Sequence, residues 1–146
     1  MRAEVQTLLP TLQQLFALKR MVGRRLADAA PVGSIAVLGV LFRSGEMRLG
    51  DLAATLHVHP SVVTRQVAEL EAQARVERRC DPGDGRSSFV SLTPAGRAVV
   101  EDYFRRGAEL IDSALEHWHP DEVSTLTTLT GRLREDLEAV IVDSAA

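Results

Sequence analysis

The stretch LGDLAATLHVHPSVVTRQVAEL, residues 49–70, decides the fold of this chain. The segment 48–56, which begins one residue before this stretch, has the apolar spacing of a short amphipathic helix. A tight turn is expected at 57–59, and Pro60 suits the first position of a new helix. The pattern therefore predicts two helices, the second over 60–73, joined by a turn of three residues.

The second of these helices has an apolar stripe and a polar face. The stripe consists of Val63, Val67 and Leu70. Ser61, Thr64 and Arg65 lie off that stripe, near the start of the helix. Helix N-termini direct backbone N–H groups at phosphates, and short hydroxyls together with an arginine can contact base edges. The two helices and the turn between them indicate a DNA-binding helix-turn-helix. If the two helices are considered without the segments that follow, an ordinary helical hairpin is the alternative.

A β-hairpin is predicted directly after the second helix. Residues 75–80 and 87–92 have strand character, and the DPGDGR segment between them, 81–86, is dense in turn residues. A hairpin in this place makes a winged helix, with a long loop that presents Arg86. An exposed arginine on a thin loop can enter the minor groove, whereas a solvated turn that happens to contain one arginine is the plainer reading.

Long helices are predicted on both sides of this module, over 4–29, from Thr93-Pro94 to about Trp118, and from Pro120 onwards. Their apolar stripes exceed what the small middle module can cover, so a second copy of the chain is the expected partner. The expected dimer contacts are Leu8, Leu12, Leu15, Leu126, Leu129, Leu133 and Leu137.

The fold class expected from this order is mainly α with a small β-hairpin. A winged helix-turn-helix DNA-binding domain is predicted over 34–97. It is flanked by an N-terminal dimerisation helix over 1–33 and by C-terminal dimerisation helices over 98–146. The length of 146 residues suits one domain with added dimerisation helices. A chain of this length can bury a hydrophobic core without support from a metal ion or a disulfide bond.

Composition favours a cytoplasmic protein. The single cysteine, Cys80, cannot form an internal disulfide. The sequence lacks an apolar run of about 20 residues that could span a bilayer, and its N-terminus lacks the features of a signal peptide. No membrane association and no cofactor are therefore expected.

The net charge of −3 is unevenly distributed along the chain. Residues 1–106 carry fifteen basic and eleven acidic side chains, whereas residues 107–146 carry two basic and nine acidic ones. A net charge of −3 argues weakly against nucleic-acid binding, but the first 106 residues sum to +4. The distribution is therefore compatible with a DNA-facing body and an acidic terminal region.

Several motifs resemble those of the MarR family of winged-helix transcriptional regulators. The spacing of Asp84-x-Arg86 followed by Leu92-Thr93 is similar to the family signature over the wing. The continuation 94–97 (PAGR) resembles the entry into the family's next helix. Further similar stretches are Val63-Thr64-Arg65, Leu70-Glu71 and Val76-Glu77-Arg78-Arg79.

The resemblance implies a homodimer with interlocked terminal helices that binds double-stranded, palindromic operator DNA. The helix from Pro60 is then expected in the major groove and Arg86 in the minor groove. Asp84 is expected to orient the wing by pairing with Arg78 or Arg79. The full set of expected DNA-contacting residues is Ser61, Thr64, Arg65, Gln66, Arg75, Asp84, Arg86 and Ser87.

The resemblance also implies a repressor that releases DNA when it binds a small aromatic or phenolic ligand or when a cysteine is oxidised. Such a ligand would occupy a cleft between the dimer helices and the winged module. The candidate lining residues are Phe16, Met21, Phe42, Tyr103 and Phe104. Ordinary core packing is the alternative for each of them.

Four positions, at three places in the chain, depart from the family pattern. Ala74-Arg75 replaces the usual Gly-Leu after the second helix, where glycine would adopt a left-handed conformation, so the junction is expected to differ in shape. Arg75 replaces an apolar residue and is expected either to contact DNA or to snorkel. Gln66 replaces an apolar residue and is predicted to be free for a base contact. His59 stands where serine or aspartate is the commoner helix cap.

Other functional classes receive less support. A Cys80-based redox sensor is one alternative, because Arg78 and Arg79 lie close by in sequence, and a winged-helix protein-interaction module without DNA binding is another. The His57-x-His59 and His117-x-His119 pairs lack further ligands at metal-binding spacing, and His117 with Trp118 is expected to cap the hinge before the last helix. Motifs typical of enzymes, such as phosphate-binding glycine loops and nucleophile elbows, are missing from the sequence.

Overall fold

The computed structural model describes residues 3–26 and 32–144, without the side chains of residues 32, 84–86 and 142–144. Within these residues the chain forms six helices and three strands. In order they are α1 (Ala3–Leu26), α2 (Val32–Ser44), β1 (Met47–Arg48), α3 (Leu49–Leu56), α4 (Pro60–Ala72), β2 (Val76–Asp81), β3 (Asp84–Leu92), α5 (Pro94–Ala114) and α6 (Pro120–Ser144).

The chain divides into two compact units, Met1–Gly107 and Ala108–Ala146. The first contains α1 to α4, the strands and most of α5, and the second contains the end of α5 and α6. No helix among the described residues is long and apolar enough to cross a membrane.

The hydrophobic core of the first unit is formed by α2, α3, α4 and the sheet. Val37 and Leu38 of α2, Leu52 of α3 and Val90 of β3 are fully buried. The predicted inward stripe of α4 is confirmed, since Val63, Val67 and Leu70 are all at 0% exposure. Burial of each such side chain contributes about 1.5–3 kcal/mol, so these contacts fix how α4 sits against the rest of the unit.

The junction after α4 keeps the left-handed turn in which glycine is usually found. Ala74 has a φ of +54°. Its N–H donates to the carbonyl oxygen of Glu71 and the N–H of Arg75 donates to that of Leu70, both at 2.9 Å. These two bonds form the Schellman pattern of helix ends. Alanine in place of glycine therefore leaves the turn unchanged, at a cost of about 1 kcal/mol of backbone strain.

The start of α5 is bonded to this same turn. Thr93 is the N-cap of α5, as predicted: its Oγ1 accepts the N–H of Gly96 at 3.0 Å and donates to the carbonyl oxygen of Ala74 at 2.7 Å. The N–H of Thr93 also donates to the carbonyl oxygen of Arg75 at 3.1 Å. A Cβ atom at position 96 would lie only 1.9 Å from that oxygen, so only glycine permits this approach.

The sheet has three antiparallel strands in the order β1-β3-β2, one strand more than predicted. The two residues of β1, Met47 and Arg48, pair with Val90 and Phe89. Two residues are too few to give a periodic pattern, which explains why the sequence did not reveal this strand.

The predicted long loop of the hairpin is wrong. Only Pro82 and Gly83 connect β2 to β3, and Asp84 and Arg86 belong to β3. The side chain of Asp81 closes the turn, because its Oδ1 accepts the N–H of Gly83 at 2.9 Å. The turn-forming residue types of the segment 81–86 therefore continue into β3. Strand pairing there overrides the preference of these residue types for turns. The β2–β3 hairpin, residues 76–92, is called the wing below.

In the second unit, α5 ends at Ala114, short of the expected Trp118, and α6 begins at Pro120. The N-cap of α6 is His119, which directly follows His117 and Trp118 of the hinge before this helix. Its Nδ1 accepts the N–H of Asp121 at 3.3 Å, and its own N–H donates to the Glu122 carboxylate at 2.8 Å. This reciprocal arrangement resembles a capping box, with histidine in the place of serine or threonine and with its side chain accepting from the second helical residue and not from the third.

We expect replacement of Ala74 by glycine to stabilise the protein by up to about 1 kcal/mol, because glycine adopts a positive φ without strain. Urea unfolding of both proteins measures the difference. The matched control is Ala72→Gly at the exposed, helical end of α4, which should destabilise the protein by about 0.5–1 kcal/mol. Equal destabilisation by both substitutions would show that the left-handed turn at Ala74 is not strained.

Candidate nucleic-acid interface

The N-terminal end of α4 presents a short polar surface. Ser61, Thr64 and Arg65 are exposed, as predicted. The helix is capped by His59, whose Nδ1 accepts the N–H of Ser61 at 3.2 Å, with Pro60 in the first helical turn. The preceding helix ends in a left-handed turn at His57, with a φ of +53°. These two helix ends fix the angle at which α4 leaves the turn.

Gln66 occupies a different environment from its exposed neighbours. Its side chain is half-buried, and its amide lies against Gly33 of α2, where a Cβ atom would be 2.3 Å from Nε2. The absence of a side chain at Gly33 leaves space that the longer Gln66 fills. The expectation that Gln66 is free to contact a base is corrected accordingly, because its amide is directed at α2.

Arg75 lies half-buried in the turn after α4. Its Nη1 is buried without a hydrogen-bond partner among the described residues. The side chain takes the place of the apolar residue expected there, and its guanidinium does not fully reach solvent, as it would in a snorkelling arginine, because Nη1 is buried. A DNA contact of Arg75 stays a prediction.

The wing carries an irregularity at the position of the signature arginine. Cys80 pairs with Ser88, whereas the next residue of β2, Asp81, pairs with Asp84. Gly85, Arg86 and Ser87 are therefore additional residues in β3. Extra residues of this kind bend a strand and redirect its side chains, and they are common next to functional sites. The side chains of Asp84 and Arg86 lie outside the described residues, and Ser87 is half-buried.

Asp81 and Arg48 form an ion pair at the base of the wing. The Arg48 Nη2 and Asp81 Oδ2 atoms are 2.8 Å apart, and the Asp81 side chain is only 6% exposed. The pair joins β1 to the turn of the wing. Sequence reasoning missed it, because β1 itself was not predicted. The only sequence signal for Asp81 is its place directly before Pro82-Gly83, which is typical of a turn closed by an aspartate side chain.

The two arginines proposed as partners of Asp84 contact other carboxylates. Arg78 lies 3.5 Å from Glu71, between Nη2 and Oε2. Arg79 donates from Nε and Nη2 to Glu46, at 2.7 and 2.8 Å. The hydrogen bonds from Arg79 lower the pKa of the Glu46 carboxyl, and the same bonds raise the pKa of Arg79.

Phe89 of β3 lies between two guanidinium groups. The guanidinium carbon of Arg79 is 4.5 Å and that of Arg48 is 5.4 Å from the centre of its ring. Such cation–π contacts contribute about 0.5–1 kcal/mol each at exposed sites. Both arginines are also paired with acids, so they shape the wing and add little net charge to it.

A small cavity lies beside α5 within the first unit. Its volume is about 230 Å³, and Leu26, Ile35, Ala98, Val99, Asp102, Tyr103 and Arg106 line it. The guanidinium of Arg106 donates to the carbonyl oxygen of Leu26 and contacts Asp102, at 2.5 and 2.9 Å.

Of the five predicted pocket residues, Tyr103 lines this cavity and the other four are not among its lining residues. Phe42, Tyr103 and Phe104 form a contiguous aromatic group, with ring centres 5.9–6.0 Å apart. Phe16 and Met21 are exposed on α1. The aromatic spacing that suggested a ligand cleft thus largely reflects packing of α2 against α5.

Two further features bear on the predicted alternatives, namely the single cysteine and the candidate metal ligands. Cys80 is an exposed free thiol in β2. Among residues 3–26 and 32–144, no group of three or more histidine, cysteine or acidic side chains is arranged to hold a metal ion.

The helix pair α3–α4, followed at once by the β2–β3 wing, defines a winged-helix DNA-binding protein. Residues 32–88 match the model of the MarR family. The multiple antibiotic resistance protein MarR of Salmonella typhimurium is 32% identical over 84 residues, which cover 57% of this chain and 58% of that protein.

Two further likenesses extend over most of the chain. The uncharacterised HTH-type transcriptional regulator YdgJ of Bacillus subtilis is 24% identical over 131 residues, or 88% of this chain and 80% of that protein. A MarR family protein from Bacillus stearothermophilus has the same fold, with a TM-score of 0.83, 18% identity and coverage of 94% of this chain and 99% of that one. The chain is thus similar to MarR family regulators, in sequence over residues 32–88 and in fold over 94% of its length, and it is a DNA-binding transcriptional regulator.

Proposed function

We propose that the protein is a dimeric repressor that binds a palindromic operator in the cytoplasm, with α4 in the major groove and the wing in the minor groove. The observation that carries this proposal is the exposed polar group Ser61, Thr64 and Arg65 at the N-terminal end of α4, with the wing following α4 in the chain. In this proposal the DNA-binding domain is 34–97, and residues 1–33 and 98–146 serve dimerisation. We assign it no catalytic role.

Replacement of Arg86 by alanine should weaken operator binding by roughly 1–3 kcal/mol, because it removes a cationic contact to the minor groove. Fluorescence anisotropy with a duplex selected by the wild-type protein measures this, at several salt concentrations. Arg132→Ala, which removes the same charge from an exposed site on α6, is the control and should leave affinity unchanged. Wild-type affinity of the Arg86 variant would refute the role of the wing. Absence of sequence-dependent binding by the wild type would favour a protein-interaction module.

Exposed apolar side chains on the terminal helices support dimerisation. In the first unit, α1 exposes Leu8 and Leu15, at 44% and 54%. In the second, Leu129 and Leu137 of α6 are 58% and 48% exposed. Leu126 is exposed as well, and Leu12 and Leu133 are half-buried. Exposed stripes of this extent are typical of surfaces that a partner covers, and a second copy of the chain satisfies both stripes by symmetry.

A charged residue in this stripe should dissociate the dimer. We expect Leu137→Glu to yield a monomer in sedimentation velocity and to lose operator binding at the same time, since two half-sites must be bound together. Thr128→Glu adds the same charge at an exposed polar position of α6 and should remain dimeric. A Leu137→Glu protein that stays dimeric would count against the interface.

The cavity beside Tyr103 is the proposed site for a small aromatic or phenolic ligand that releases the DNA. Its volume of about 230 Å³ exceeds that of an apolar cavity known to hold benzene, about 150 Å³. Tyr103 and Arg106 would supply polar contacts to a hydroxyl or carboxylate group of the ligand.

Millimolar 4-hydroxybenzoate should dissociate the wild-type complex with DNA and raise the melting temperature of the free protein. Ala98→Leu places a larger side chain at the edge of the cavity and should abolish both effects while DNA binding persists. Leu at the exposed position Ala108, outside this cavity, is the control. Equal responses of the wild type and the Ala98 variant would exclude this cavity as the ligand site.

A further inference from the structure

Two hydroxyl groups stand on the exposed face of α4, and the hydrogen atom of each is engaged within the protein. Ser61 and Thr64 are three residues apart, so they lie on the same side of the helix. Both side chains are exposed. What they offer to a bound molecule depends on the direction of the hydrogen bonds they already make.

The cap of α4 sets this direction for Ser61. Nδ1 of His59 accepts the backbone N–H of Ser61 at 3.2 Å, so this nitrogen carries no hydrogen, and the hydrogen of the neutral ring is assigned to Nε2. The Ser61 Oγ atom lies 2.8 Å from the same Nδ1. Because Nδ1 has no hydrogen to give, the Ser61 hydroxyl is the donor. Only the lone pairs of its oxygen remain for other partners.

Thr64 reaches the same state by a different bond. Its Oγ1 donates to the carbonyl oxygen of Pro60, one helical turn earlier, at 2.9 Å. The two hydroxyls therefore both act as acceptors towards a bound molecule. Arg65, the next residue, has only donors.

Acceptors of this kind distinguish between bases in the major groove. Adenine N6 and cytosine N4 are amino groups that donate there, whereas guanine O6 and thymine O4 accept. Phosphate oxygens also accept, so neither hydroxyl can hold a phosphate without giving up its bond within the protein.

We propose that Ser61 and Thr64 recognise adenine or cytosine amino groups in the operator and disfavour guanine or thymine at the same strand positions. This specificity rests on the proposed entry of α4 into the major groove. His59 acts as a positioning residue that keeps the Ser61 hydroxyl in its accepting orientation. Arg65 complements the pair, because its donors suit guanine O6 and N7.

Selection of duplexes from a random library by the full-length protein, followed by sequencing, tests the proposal. Ser61→Ala and Thr64→Val identify the operator position that each hydroxyl contacts, as the position whose preference relaxes. At each of these positions the wild type should favour adenine or cytosine about fivefold, the ratio expected for one net hydrogen bond.

Variants of His59 separate the orientation of the hydroxyl from the stability of the helix. Asparagine keeps an acceptor at the cap, so His59→Asn should preserve the preference at the Ser61 position. Glycine is tolerated at caps but offers no side-chain acceptor, so His59→Gly should reduce that preference to less than about twofold. The control is His119→Gly, which removes the same kind of cap from α6 and should leave every base preference unchanged.

Measurement of the tautomer of the His59 ring tests the direction of the Ser61 hydroxyl independently of DNA binding. Long-range proton–nitrogen NMR correlation of the free protein should show the ring hydrogen on Nε2 and a bare Nδ1. A hydrogen on Nδ1 of the neutral ring would overturn the proposal, since the Ser61 hydroxyl would then be free to donate.

The outcomes of the selection separate the two proposals. Failure of the wild type to enrich any sequence would refute the proposed DNA binding itself. Enrichment of a motif with guanine or thymine at the position that Ser61→Ala relaxes, or with no such position, would overturn only the inference about the hydroxyls.

Discussion

The turn after α4 is the constraint on which the rest of the winged helix depends. Its carbonyl groups at Ala74 and Arg75 accept from Thr93, which simultaneously caps α5. Gly96 then brings the first turn of α5 into contact with the backbone of Arg75. The end of α4, the return of the wing and the start of α5 thus share one set of hydrogen bonds. Thr93 and Gly96 thereby acquire a structural reason, because Thr93 caps α5 while it bonds to the turn, and Gly96 permits the close approach to Arg75.

The charged side chains at the base of the wing contact one another and Phe89, and these contacts hold the strands of the sheet together. Arg48 and Arg79 flank Phe89, and each is paired with an acid, Asp81 or Glu46. The largely exposed Arg79–Glu46 pair contributes little stability by itself, since the median for surface ion pairs is about 0–1 kcal/mol. The geometric effect of the two pairs is larger, since they tie the short β1 and the turn of the wing to the same face of β3.

Long, periodic elements were predictable from the sequence, and short or non-local ones were not. The apolar repeat of α4 and the Thr93-Pro94 helix start were sufficient to place those elements, because both signals are local. The strand β1, the Arg48–Asp81 pair and the contact of Gln66 with Gly33 depend on residues far apart in the chain, and no local pattern encodes them. Even the aromatic residues of α2 and α5 carried an ambiguous signal, since core packing and ligand binding select the same side chains. At Ala74 a local signal was misleading. Alanine is unfavourable in a left-handed turn, so the sequence suggested a changed turn, but the hydrogen bonds to Thr93 hold the turn in its usual form.

The distribution of charge fits this division of roles. The acidic residues that make the net charge −3 are concentrated after residue 106, largely in the unit Ala108–Ala146, while the part of the chain with the winged helix is near neutral or slightly basic. Several arginines near the wing are already paired with acids, so few remain to neutralise phosphates. Since non-specific DNA affinity comes from released counterions, a protein of this kind must gain more of its binding free energy from contacts that depend on sequence. The polar face at the start of α4 is small, and each hydrogen bond there consequently has a large share in deciding which DNA the protein occupies.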